Sequence, residues 1–217
     1  KFCYMDYKKL VGVYEALEKT TKRLEKRDII ANILKEAKEE DLEKVIYLLQ
    51  GRVFPQFDER KIGMSSRLIL KVISKISGES VNEIEKKWRK IGDLGEIAES
   101  LVKIKKQTTL KITSDLTVEK VFNNIRKLAE LEGEGTLGKK VDLVSELLAN
   151  ASPVEARFIV RTVLEELRVG VAEGVLRDAI ALAYDVDVKI VERAFDVLVD
   201  YADIARRAKE KKLSDLF

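Results

Sequence analysis

Residues 62–98 lie over residues 169–205 without a gap, at a spacing of 107. "IGMSSRLILKVISKISGESVNEIEKKWRKIGDLGEIA" stands above "VGVAEGVLRDAIALAYDVDVKIVERAFDVLVDYADIA", and the apolar phase agrees throughout. Gly63 meets Gly170, Ile73 meets Ile180, Trp88 meets Phe195 and Asp93 meets Asp200. Upstream, "RDIIANILKEA" (27–37) matches "VDLVSELLANA" (141–151) at a spacing of 114, because the first half carries seven more residues in its "FPQFDER" loop. Self-similarity at a fixed spacing marks a repeated supersecondary unit that buries its apolar face against a neighbour. The chain therefore reads as a duplicated helical unit, about residues 6–98 and 117–205, with a basic connector over 99–116.

The unit is helical because its apolar residues recur at helical spacing, as Val186, Ile190, Val191, Ala194, Phe195 and Leu198 do. Start signals agree: "SPVE" sets Ser152 as N-cap, Pro153 at N1 and Glu155 at N3, and "SVNE" (80–83) is a second capping box. Strand-like alternation is scarce, and only two prolines interrupt 217 residues. The expected fold is all-α, about twelve helices in two pseudo-symmetric halves. The connector core "KIKKQTTLKITSD" (103–115) holds four lysines and no acid before Asp115, without helical phase, and is expected to be a surface loop.

Composition removes several kinds of chemistry. The chain has no histidine, which excludes a histidine-based triad and the commonest metal ligand. A single cysteine, Cys3, cannot close an internal disulfide, so a reducing cytoplasm is expected. No apolar run is long enough for a membrane span, and residues 1–20 lack the apolar core of a signal peptide. Net charge is only +3, so any affinity for a polyanion has to come from how the charge is distributed.

Three stretches gather glycine or hydroxyl residues, a helix start and Lys or Arg. "KTTKRLEKR" (19–27) has five basic residues against one acid; "GEGTLGKK" (133–140) is a glycine-rich turn; "LRVGVAEG" (167–174) sets Arg168 and Gly170 ahead of a helix. A helix N-terminus offers unsatisfied amides and about half a positive charge, which suits a phosphate. "GEGTLGKK" is no P-loop, since Lys139 is followed by Lys140 and no strand precedes it. Glu173 opposes an anion, and at the third helical position it is expected to fold back onto the amide of Gly170. "KTTKR" precedes the "RDIIANIL" helix as "GTLGKK" precedes "VDLVSELL", so the pattern is a pair of phosphate clamps. A rod with repeating phosphates and approximate dyads fits such a pair, and duplex DNA is one. No set of Asn, Gln and Arg lines up for base edges, so binding by backbone shape and charge is expected.

Over nearly its whole length the chain resembles the N-terminal DNA-binding domain of archaeal-type ATP-dependent DNA ligases. The resemblance is carried by "ARFIVRTVLEELRVGVAEGVLRDAIALA" (156–183), "GEGTLGKKVDLVSELL" (133–148) and "IGDLGEIAES" (91–100). It implies a non-catalytic domain over 1–217 that grips the minor groove on both sides of a nick in double-stranded DNA. The parent enzyme's adenylation and OB-fold domains, absent from this chain, would then close around the duplex during replication, recombination and repair. Matching positions are Thr136, Gly138, Lys139 and Lys140 in one loop and Arg168, Gly170 and Ala172 in the other. Their first-half equivalents are Thr21, Arg23, Gly63, Ser65 and Ser66. The family's catalytic lysine lies in a K-x-D-G motif that this chain lacks; "KKVD" (139–142) has no glycine. The resemblance thus implies no catalytic residue, metal or cofactor in this chain, ATP and Mg²⁺ serving the parent, which seals through a lysyl-AMP. It also implies a sliding-clamp contact at Gln107 and Leu110, with Ile112 in place of the usual aromatic pair, in a monomeric, cytoplasmic protein.

Two other classes compete. Paired-helix repeats also serve as protein-interaction scaffolds, which an exposed apolar groove would favour. A carboxylate enzyme using Asp93 and Asp200 is the other, but both sit at equivalent positions near helix starts, where capping explains them better.

Overall fold

The computed structural model describes residues 4–109, 116–133 and 135–217. Among them are twelve α-helices: α1 (Tyr7–Glu18), α2 (Arg23–Glu36), α3 (Glu39–Leu49), α4 (Ser66–Ser77), α5 (Val81–Ile91), α6 (Leu94–Thr109), α7 (Val118–Glu130), α8 (Thr136–Asn150), α9 (Pro153–Val163), α10 (Glu173–Tyr184), α11 (Val188–Leu198) and α12 (Tyr201–Lys209). A 3₁₀ turn, Leu213–Leu216, follows. Among the described residues there is no strand beyond a single bridge between Asp6 and Thr117, so the fold is all-α. No described helix is long and apolar enough to cross a membrane.

The helix boundaries repeat the sequence registers. α4, α5 and α6 begin at Ser66, Val81 and Leu94; α10, α11 and α12 begin at Glu173, Val188 and Tyr201, each 107 residues later. Likewise α9 begins and ends 114 residues after α3. Local signals set these starts. Ser152 accepts from the Glu155 amide at 3.3 Å while Glu155 accepts from the Ser152 amide at 2.6 Å, with Pro153 opening α9. Ser80 and Thr117 cap α5 and α7 by one bond each, accepting from the amides of Glu83 and Lys120, so the box expected at 80–83 is one-sided.

The compact bodies do not coincide with the sequence halves. One unit takes Gly12–Glu59 and Arg168–Phe217; the other takes Asp6–Val11 and Arg60–Leu167. In the first, α2 packs on α10 and α3 on α12. Ile30, Leu34, Ile46, Leu176, Ile180 and Ile204 are its fully buried centre. In the second, α6 packs on α9 and α4 on α8, around Ile69, Ile73, Ala98, Leu147, Phe158 and Ile159. Each of the larger of these apolar side chains contributes roughly 1.5–3 kcal/mol on burial. Every core therefore combines helices from both halves of the sequence.

The connector differs from expectation in its first part. Residues 103–109, expected to be loop, belong to α6. The stripe of Leu94, Ile97, Ala98 and Leu101 is buried at helical spacing, and Lys105, next in phase, donates its ammonium to the carbonyl of Ile76 near the end of α4. A lysine used in this way carries the helix on without an apolar residue. The remainder of the connector, 110–115, lies outside the described residues.

Candidate nucleic-acid interface

In the first unit, the start of α2 meets the turn that leads into α10. Arg23, the first residue of α2, donates to the Asp178 carboxylate at 2.7 Å and to the Gly174 carbonyl at 3.4 Å. One turn on, the Lys26 ammonium donates to the carbonyls of Val169 at 2.8 Å and Gly170 at 3.2 Å. Gly170 has φ +66°, a region that favours glycine, and a Cβ there would stand 2.5 Å from the Lys26 Nζ. Ala172 is the N-cap of α10 and has no side chain to cap with. The exposed Arg168 sits at φ +59° two residues before Gly170. Asp178 is shared by Arg23 and Arg177; burial pushes its carboxyl up, but the two guanidinium groups outweigh that and hold it below the usual carboxylate range.

Thr21 is exposed beside this junction, and its neighbour Thr20 shapes the entry. The Thr20 hydroxyl accepts from the Lys22 amide at 3.1 Å, while Lys22 and Glu25 pair at 2.7 Å on the surface. Such a pair is worth little by itself.

The second unit builds a similar junction with the two halves of the sequence in exchanged roles. The turn before α4 holds Gly63 at φ +67°, and the Lys140 ammonium, from α8, donates to the carbonyls of Ile62 at 3.4 Å and Gly63 at 3.3 Å. A Cβ on Gly63 would stand 2.9 Å from that Nζ. Ser65 caps α4, its hydroxyl accepting from the Leu68 amide at 3.3 Å, and Ser66 opens the helix. At the start of α8, Gly135 is an N-cap without a side chain, and the Thr136 hydroxyl donates to the Gly133 carbonyl at 2.8 Å. Gly138 faces open space and Lys139 is exposed. Each unit thus offers an αL glycine, a helix start and cations in one place.

A family model described as DNA ligase N terminus matches residues 6–181. The chain belongs to that DNA ligase family. It is 44% identical over 207 residues to a DNA ligase of Methanosphaera stadtmanae, covering 94% of this chain and 37% of the relative. It is 46% identical over 205 residues to one of Methanothermobacter thermautotrophicus, covering 94% and 37%. With Nitrosopumilus maritimus the figures are 36% identity over 215 residues, 98% of this chain and 36% of the relative. The chain thus spans little more than a third of the length of the curated relatives it matches.

Within this ligase-family domain, some site residues stand differently from the sequence expectation. α10 begins at Glu173, so Glu173 is the first helical residue and not the third, and the turn through Gly170 precedes the helix. In that turn the Val169 and Gly170 carbonyls accept from the Lys26 ammonium. Lys140 is buried, with its charge directed at two carbonyls rather than at solvent. The backbone of Gln107 lies in α6, while its side chain and all of Leu110 lie outside the described residues. Asp93 and Asp200 both cap: Asp93 accepts from the Gly95 amide at 2.7 Å and Asp200 from the Ala202 amide at 2.9 Å. Lys26 escaped the sequence reading. The register of 114 that lays "RDIIANIL" over "VDLVSELL" also lays Lys26 on Lys140, and would have found it.

Proposed function

We propose that the chain is a non-catalytic duplex-DNA-binding domain whose parent seals nicks in double-stranded DNA, working during replication, recombination and repair. The observation that carries this reading is the doubled junction: in both units a glycine turn and helix start are joined to a basic helix start from the opposite half of the sequence. Amides, hydroxyls and cations so gathered suit phosphate and sugar. Thr21, Arg168, Gly170 and Ala172 would meet the backbone in one unit, with Gly63, Ser65, Ser66, Thr136, Gly138 and Lys139 in the other. Arg23 and Lys140, tied to protein groups, would shape these surfaces.

The sealing chemistry belongs to the parent's adenylation and OB-fold domains, which use ATP and Mg²⁺ to join a 5′-phosphate to a 3′-hydroxyl through a lysyl-AMP. The deciding experiment is fluorescence anisotropy of the chain with nicked and intact duplexes of several sequences over a range of salt. Affinity should fall with a log–log slope of about 0.9 per phosphate contact and vary little with sequence. Salt-independent binding, or none at low salt, overturns the proposal.

A further inference from the structure

We infer that Lys26 and Lys140 are positioning residues, each bracing a glycine turn so that the following helix start keeps its aim, rather than cations that meet phosphate. The inference rests on the duplex-binding reading above and adds to it a device within the protein. Each ammonium donates to two successive carbonyls: Val169 and Gly170 for Lys26, Ile62 and Gly63 for Lys140. Successive carbonyls ordinarily point apart. Here the αL glycine turns the second one back beside the first, and the ammonium sits between them.

A Cβ on either glycine would lie 2.5 Å or 2.9 Å from the Nζ, so the ammonium would have to move off its carbonyls to make room. Glycine therefore serves the backbone conformation and leaves the ammonium in place. Lys140 is buried and cannot reach a phosphate. The same brace stands in both units, although the lysine comes from the first half in one case and from the second half in the other. Its surroundings have diverged: in the shared register Arg23 faces Leu137 and Glu25 faces Lys139. The part retained on both sides is the lysine with its glycine.

Lysine and arginine separate the two roles. A phosphate contact tolerates arginine, whose guanidinium binds phosphate at least as well. A slot sized for an ammonium does not. Lys26→Arg, Lys140→Arg and the two Met variants would be measured against native chain by anisotropy with a nicked duplex over a salt series. Amide hydrogen exchange of the free proteins would be followed at Val175 and Leu176, bonded to Ala172, and at Leu68 and Ile69, bonded to Ser65. We expect both Arg variants to bind about tenfold more weakly, with the native salt slope. Exchange should quicken at Val175 and Leu176 for the Lys26 variants, and at Leu68 and Ile69 for the Lys140 variants. Arg variants that bind as native chain does, or exchange that quickens evenly through the molecule, would overturn the brace. If native chain itself does not bind duplex, the duplex reading fails, and the exchange data still decide whether the lysines hold the helix starts.

Discussion

Asp93→Ala and Asp200→Ala remove the same atoms from equivalent places in the two units, yet should differ about twofold in cost. Asp93 accepts from Arg161 at 2.9 Å and 2.7 Å as well as from the Gly95 amide, and the paired side chains are only 7% and 8% exposed. Removing the carboxylate leaves a buried guanidinium without its main counter-charge, a loss of about 3–5 kcal/mol. Glu96, 3.7 Å from Arg161 and half exposed, offsets part of it and puts the expected value near 4 kcal/mol. Asp200 instead accepts from the neutral Tyr47 hydroxyl at 2.8 Å and from the Ala202 amide. Its loss removes one cap and one hydrogen bond from an uncharged donor and strands no buried charge, a cost of about 2 kcal/mol. Urea unfolding followed by circular dichroism should show the gap, and thermal midpoints should fall by roughly 8–16 °C for Asp93→Ala. The double variant Asp93→Ala/Arg161→Met should recover about 1–2 kcal/mol by removing the stranded charge. Equal costs for the two alanine variants, or no recovery, would refute the argument that the buried charge sets the difference.

The same pair gives a pH dependence. Burial pushes the Asp93 carboxyl up, but the Arg161 guanidinium and the Glu96 and Gly95 amides outweigh it and hold it below the usual carboxylate range. Its contribution is therefore whole above about pH 4 and is lost as pH falls through the lower folded value, so acid unfolding of Asp93→Asn should be flatter than native. Arg168→Ala and Lys139→Ala should each reduce the salt slope of DNA binding by about one, measured by anisotropy; unchanged slopes remove them from the contacts. Gly95→Ala should destabilise by about 2–3 kcal/mol, because its Cβ would stand 2.7 Å from the Arg157 carbonyl and 2.9 Å from the Arg161 Cγ. Gly12→Ala, with open space in α1, should stabilise by about 0.5–1 kcal/mol in the same urea titration. A pull-down by a sliding clamp should weaken for Gln107→Ala and Leu110→Ala, and an unchanged result removes that contact.

The helices were legible in the sequence because their signals are local. The Ser152–Glu155 box and the stripe of α11 need only a few neighbouring residues, and the spacing of 107 already stated where α10 begins relative to α4. Non-local readings fared less well. The end of α6 reads as a loop because its lysines lack helical phase, whereas in the fold Lys105 bonds to the distant Ile76 carbonyl. Lys140 looked like a surface cation because a lysine beside Gly138 and Lys139 reads as solvent-facing. Its real partners are Ile62 and Gly63, far away in the chain. Glu173 falls at the first helical position instead of the third, after a turn whose carbonyls bond to Lys26, a residue far away in the chain.

A cut between α6 and α7 would leave α2 and α3 without α10 and α12, and α4 and α6 without α8 and α9. Neither fragment could close an interior by itself, but the two mixed together could each lend the other what it lacks.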